Sequence, residues 1–143
     1  MSAMSGSPPM NPLVLLVDDD EDSRFLYGHV LTTSYGYRIA EASNGRQGVD
    51  MASELKPDVI VMDLTLPLVD GWQAMRELRR DHRTCAIPIV ALTGHAQVQS
   101  NKATEFQAVL LKPCLPDALA SQLEALLASP GVGSGQDGAT IVK

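Results

Sequence analysis

The chain has 143 residues, which predicts one domain of ordinary size. Its composition, 45% hydrophobic and 20% charged, is typical of a globular protein. The formal net charge of −6 argues against nucleic-acid binding, which needs a basic surface. Because no apolar run approaches the roughly 20 residues that span a bilayer, and no signal-peptide pattern opens the sequence, we expect a cytoplasmic protein without membrane contact.

Both ends of the chain predict flexible tails. Residues 1–12 are rich in Pro and Ser, and residues 129–143 are rich in Gly and Ser. Neither segment can bury enough apolar surface to offset the entropy lost on ordering. Residues 13–128 are therefore the expected domain.

Much of the acidity lies in one run near the N-terminus. The run consists of Asp18, Asp19, Asp20, Glu21 and Asp22. Acidic runs often form a solvated surface or complement the start of a helix. We expect that role for the last three residues. Asp18 and Asp19 directly follow an apolar run, so they are candidate ligands.

Short apolar runs alternate with segments of helical periodicity. The runs are Leu13–Val17, Val59–Met62, Ile87–Leu92 and Ala108–Leu111, with a weaker one at Tyr37–Ala40 that we expect at a sheet edge. Such runs are typical of strands that are buried on both faces of a parallel sheet. The alternation predicts five β-α units in a three-layer α/β domain.

The segments between the runs predict helices with an apolar face toward the sheet. For the first helix this face is predicted to consist of Phe25, Leu26, Val30 and Leu31. For the last helix it is a stripe of period near 3.6, made of Leu119, Leu123, Leu126 and Leu127.

Polar residues stand at four of the predicted strand ends, which meet at one edge of a parallel sheet, where ligands bind. They are Asp18 and Asp19, Asp63, Thr93 and Lys112. Crowded carboxylates repel one another unless a cation neutralises them, and hard oxygen ligands suit Mg²⁺. A lysine and a hydroxyl beside them predict phosphoryl chemistry, in which one carboxylate could be the nucleophile.

These stretches resemble the receiver domain of two-component response regulators. The matching stretches are LVLLVDDDEDSR, VIVMDLTLPLVDGWQAMRELR, IPIVALTGHA and LLKP. The resemblance covers residues 13–128 and implies a flavodoxin-like, CheY-like (βα)5 fold with strand order 2-1-3-4-5. It also implies that Asp63 is the phospho-acceptor. Asp18, Asp19, Asp63 and the backbone carbonyl of Thr65 would bind Mg²⁺.

The resemblance implies two further roles at the phosphoryl group. Lys112 would contact it, ahead of a cis bond to Pro113, and Thr93 would move toward it on activation. The phosphodonor would be a histidine kinase or a histidine phosphotransfer domain, and an unidentified downstream protein would read the changed surface. We expect no enzymatic activity beyond the protein's own phosphorylation and dephosphorylation.

Two features depart from the family pattern. Only 18 residues separate Thr93 from Lys112, which predicts a shortened or irregular helix before the fifth strand. Val109 stands where the family often has Tyr or Phe, so we expect output coupling without an aromatic ring that changes its rotamer.

Gly94 directly follows the switch residue Thr93, and its small size predicts open access for water or a phosphodonor.

The favoured function is a stand-alone receiver in a His-to-Asp phosphorelay, signalling by protein contacts or acting as a phosphate shuttle or sink. A receiver from a hybrid kinase or larger regulator, and a receiver-fold interaction module without phosphorylation, are the alternatives. An Asp-nucleophile phosphohydrolase is disfavoured because position 65 holds Thr instead of a second, acid-donating Asp.

Overall fold

A computed structural model describes residues 11–64, 66, 70–94 and 106–128. The strands are β1 (Leu13–Val17), β2 (Arg38–Ala42), β3 (Val59–Asp63), β4 (Ile89–Thr93) and β5 (Ala108–Leu111). The helices of the described part are α1 (Glu21–Tyr35), α2 (Gly45–Leu55), α3 (Gly71–Arg80) and α4 (Pro116–Ala128). The helix predicted between β4 and β5 falls on residues outside these ranges. So do both predicted tails, apart from residues 11 and 12.

The five strands form one parallel sheet in the order β2-β1-β3-β4-β5. This confirms the predicted order 2-1-3-4-5 and the predicted edge position of β2. Every residue of β3 and β4 is buried, as is β1 after its first residue. The apolar runs of β1, β3 and β4 therefore belong to interior strands, which have helices on both faces. For β5 the predicted burial is wrong, because this apolar strand lies at the other edge of the sheet and Leu111 is 51% exposed.

Within the described part of the chain, two helices cover each face of the sheet, which confirms the three layers. On one face α2 and α3 enclose a core that contains Leu15, Ile60 and Met75. On the other, α1 and α4 enclose a core that contains Leu31 and Leu119. Across the described residues, no helix is long and apolar enough to cross a bilayer.

The buried face of α1 differs from the predicted one. Tyr27, Gly28 and Leu31 are buried, whereas Phe25 and Leu26 are 70% and 50% exposed. At Gly28 the helix faces β2, where an added Cβ would make ordinary van der Waals contact with a side chain at 3.7 Å. The prediction for Phe25 and Leu26 was wrong because a hydrophobicity pattern ranks glycine and tyrosine below phenylalanine and leucine.

Capping side chains begin the helices next to the carboxyl edge of the sheet. Asp20 accepts a hydrogen bond from the amide of Asp22 at the start of α1, and Asp70 accepts one from Gln73 at the start of α3. Asp20, Glu21 and Asp22 are exposed, which confirms their predicted role at a solvated helix start. The capped α1 therefore begins directly after the candidate ligands of the β1 end.

Candidate functional site

Three carboxylates meet at the carboxyl edge of the sheet. Asp18 and Asp19 follow β1, and Asp63 ends β3, its neighbour in the sheet. One carboxylate oxygen from each residue lies within 4.8 Å of the other two. The structure thus brings together three side chains whose mutual repulsion favours a bound cation.

Lys112 reaches this cluster from the end of β5. Its Nζ lies 3.1 Å from Oδ2 of Asp63 and 3.7 Å from Oδ2 of Asp18. Its amide donates to the carbonyl of Thr93, and its bond to Pro113 is cis. Burial lowers the pKa of Lys112, but the hydrogen bond to Asp63 and the charge of Asp18 outweigh burial and raise it, so the ammonium stays charged.

Asp18 is buried, and its two carboxylate oxygens differ in their partners. Oδ1 accepts a hydrogen bond of 2.9 Å from the amide of Asp20. Oδ2 makes no hydrogen bond within the described part of the chain, since the 3.7 Å to Lys112 is an ion-pair distance. Burial is the main cause that raises the pKa of Asp18, against the hydrogen bond from Asp20 and the charge of Lys112. A buried oxygen without a hydrogen bond, beside two more carboxylates, fits a hard divalent cation such as Mg²⁺.

The other predicted site residues lie around this cluster. Asp19 is exposed, so it faces the solvent side. Thr93 is 2% exposed and ends β4, one residue beyond Leu92, which pairs with Asp63. Thr65 falls on a residue that the structure leaves undescribed. The predicted metal role of its carbonyl therefore stays a prediction.

The residues after β4 and within β5 bear on access and output. No described atom lies within 4 Å of the position that a Cβ on Gly94 would occupy. Val109 pairs with Ala91 of β4 and packs, partly buried, against the core under α2 and α3. The shortened or irregular helix that was predicted before β5 falls outside the described ranges.

Two residues of α1 that the sequence reasoning missed hold the backbone on either side of the cluster. Nη1 of Arg24 donates to the carbonyl of Asp18 at 2.7 Å, while its Nε pairs with Glu41 of β2 at 2.9 Å. The hydroxyl of Tyr27 donates to the carbonyl of Cys114 at 2.6 Å, in the turn after β5. Residues three apart share a helix face, so this spacing was the available signal.

Gly71 begins α3 directly against the end of β3. Its amide donates to the carbonyl of Leu64, and an added Cβ would lie 2.6 Å from both the Asp63 carbonyl oxygen and Leu64 Cα. Real Cβ atoms do not approach backbone so closely, so glycine is required here. The close contact holds α3 against the strand end that carries Asp63.

Comparison with known proteins places the chain in a family. The family model of the response regulator receiver domain matches residues 14–124. Protein PilH of Pseudomonas aeruginosa is 33% identical over 118 residues, which cover 80% of this chain and 97% of PilH. The DNA-binding dual master transcriptional regulator RpaA of Synechocystis is 37% identical over 120 residues. That match covers 81% of this chain but 49% of RpaA, so the chain spans about half of that relative.

Solved structures agree with the family match. One is the receiver domain of a sensor histidine kinase from Pseudomonas aeruginosa, which has a magnesium ion in its active site cleft. It is 30% identical to this chain and has a TM-score of 0.74, and the match covers 84% of this chain and 100% of that domain. The chemotaxis response regulator CheY4 of Vibrio cholerae is 28% identical with a TM-score of 0.75, over 82% of this chain and 99% of its own. The chain belongs to the response regulator receiver domain family of two-component signalling.

Proposed function

We propose that this protein accepts a phosphoryl group onto Asp63 from a phosphohistidine of a histidine kinase or histidine phosphotransfer domain. The observation that carries the proposal is the meeting of three carboxylates with one ammonium group at the carboxyl edge of the sheet. Asp63 is the member of this set that Lys112 contacts at hydrogen-bond distance, so the charge that stabilises transfer already lies at the acceptor.

Asp18, Asp19 and Asp63 would hold Mg²⁺, with the carbonyl of Thr65 as a further ligand. Bound Mg²⁺ would neutralise charge on the carboxylates and on the phosphoryl oxygens. The buried Oδ2 of Asp18 supports this assignment because a cation would supply its missing partner. The magnesium ion in the related kinase receiver domain supports the choice of metal.

Transfer exchanges a phosphorus–nitrogen bond for a phosphorus–oxygen bond. A carboxylate oxygen of Asp63 attacks phosphorus, and the bond to the histidine nitrogen breaks with its electron pair staying on the imidazole. Lys112 would stabilise the negative charge on the phosphoryl oxygens. Asp63 is held at the end of a wholly buried strand, so little reorganisation is needed to align it. Water would later hydrolyse the acyl phosphate and release inorganic phosphate.

The output would begin at Thr93, whose hydroxyl would turn toward a phosphoryl oxygen. Val109 provides no aromatic ring to follow that movement, so a partner would read another change of the surface near β4 and β5. The space that the described residues leave at Gly94 supports access of water or a phosphodonor, and thereby a short-lived phosphate. The phosphorylated protein would signal by protein contacts or pass its phosphate on as a shuttle or sink.

We further propose that the protein is cytoplasmic and acts as a stand-alone receiver, with no separate substrate and no nucleic-acid binding. PilH, of which the match covers 97%, supports a unit of this size. RpaA and the kinase receiver domain support the alternative, a receiver unit within a larger regulator or hybrid kinase.

Incubation with acetyl phosphate and MgCl₂ tests the proposal. We expect a hydroxylamine-labile phosphoprotein in the wild type, its loss in Asp63→Asn, and its loss when EDTA removes the metal. Asp50→Asn is the matched control, since Asp50 is an exposed carboxylate of α2. No phosphoprotein from acetyl phosphate or from any of a panel of phosphorylated histidine kinases would refute the proposal.

A further inference from the structure

Tyr27 connects the middle of α1 to a distant turn. It is 7% exposed, and its hydroxyl donates to the carbonyl of Cys114, 87 residues further along the chain, at 2.6 Å. Burial raises the pKa of Tyr27, so the phenol keeps its proton at neutral pH and remains a donor. At neutral pH this hydrogen bond therefore connects α1 to the turn that follows β5.

The turn that Tyr27 holds is the one that carries Lys112. The turn begins at Lys112, whose amide donates to the Thr93 carbonyl of β4. It ends at Leu115, whose carbonyl accepts from two amides of α4. Cys114 lies between these two fixed points. The Tyr27 hydroxyl thus fixes the middle of the turn from a third element.

The position of this turn decides where the Lys112 ammonium lies. Lysine is a point charge on a flexible stem, so its backbone must be held if Nζ is to stay 3.1 Å from Asp63 and 3.7 Å from Asp18. The same face of α1 holds the Asp18 backbone through Arg24. One rigid helix therefore sets the spacing between the metal-binding carboxylate and the lysine.

We propose that Tyr27 is a positioning residue for Lys112, whose ammonium it keeps at Asp63 by fixing the turn at Cys114. The effect on rate rests on the function proposed above, while the effect on the turn does not. Tyr27→Phe keeps the buried ring and removes only the hydroxyl. The loss of one hydrogen bond should lower the rate of phosphorylation by acetyl phosphate about fivefold.

Tyr35→Phe is the matched control. Tyr35 also lies on α1, and its hydroxyl donates to Asp117 of α4 at 3.0 Å, beyond the turn. We expect this variant to phosphorylate within about twofold of the wild type, even if both variants melt at a lower temperature. Equal rates for the two variants would overturn the proposal, because a general loss of α1–α4 contact would then explain the effect.

A double-mutant cycle with Lys112→Ala identifies the residue through which Tyr27 acts. With the ammonium gone, Tyr27→Phe should cause no further loss of rate. A further fivefold loss in that background would overturn the proposal, since the hydroxyl would then act elsewhere.

Amide hydrogen exchange separates this inference from the proposed function. In Tyr27→Phe the amides of Lys112, Cys114 and Leu115 should exchange faster than in the wild type or in Tyr35→Phe. If the wild type forms no acyl phosphate, the proposed function fails, and this measurement alone decides whether Tyr27 fixes the turn. Unchanged exchange at these three amides would overturn the inference.

Discussion

The carboxylate cluster has a supported side and an open side. The supported side consists of Arg24 and Tyr27, which hold backbone carbonyls beside the cluster, and Gly71, which packs against the end of β3. The open side is the end of β4, where no described atom lies within 4 Å of a Cβ added to Gly94. The supported side keeps the spacing of charges, and on the open side the described residues leave room for an incoming group.

The difference shows how one site meets two opposing demands. Electrostatic stabilisation depends on charges that are already in place when the reaction begins, so the lysine and the metal ligands need rigid support. A phosphodonor and water need space instead. Variants that fill the open side or loosen the supported side should therefore have unequal effects on stability and on metal binding.

The largest loss of stability is expected on the supported side, for Gly71→Ala. The new Cβ would meet backbone atoms of Asp63 and Leu64 at 2.6 Å, and backbone cannot rotate away. We expect the free energy of unfolding to fall by about 2–3 kcal/mol in urea denaturation. Gly94→Ala is the control and should stay within about 0.5 kcal/mol of the wild type. Equal losses for the two variants would remove the distinction between the sides.

Arg24→Ala should lower the stability of the protein by an intermediate amount. It removes the hydrogen bond to the Asp18 carbonyl and the pairing with Glu41, both made by a side chain that is 16% exposed. We expect a loss of about 1–2 kcal/mol in stability and weaker Mg²⁺ binding in calorimetric titration. The control is Arg46→Ala, whose side chain is 45% exposed and pairs with Glu77. That variant should lose less than about 1 kcal/mol and bind Mg²⁺ unchanged.

The smallest expected effect is a change in the pKa of Asp81, a carboxylate outside the cluster. The hydrogen bonds from Arg83 lower the pKa of Asp81 to about 2, whereas burial raises that of Asp18. Because the shift is downward, its contribution to stability is present above the ordinary value of 3.8 and is lost as the pH falls toward 2. Arg83→Ala removes the guanidinium but keeps the amide of residue 83, which also donates to Asp81, so NMR titration should show the Asp81 pKa raised from about 2 but still below 3.8. A pKa that stayed near 2 would show that the Arg83 guanidinium does not cause the shift.

The sheet was predictable because its signal is local. In β1 and β3 every side chain before the strand end is apolar, and parallel strands place their carboxyl ends at one edge. From these two facts alone, Asp18 and Asp63 were expected at the same edge of the sheet. The resemblance added the strand order, which local patterns do not contain.

The supporting contacts were not predictable in the same way. Tyr27 acts on a carbonyl of Cys114, and no pattern in either segment indicates which turn comes within reach of that hydroxyl. The face that α1 buries includes Tyr27 and Gly28, which an apolar stripe does not record. Contacts of this kind follow from the packing of the elements, so they become visible only once the helices are placed.

Trp72 gives the molecule an optical signal of its own. It is the only tryptophan in the sequence and the second residue of α3, next to Gly71. Its indole meets the ring of Phe106 edge to face, with centroids 5.2 Å apart, where the chain approaches β5. A change in the spacing of these rings alters the emission of a single chromophore. Events at the end of β3 can thus be followed in the unlabelled protein by fluorescence.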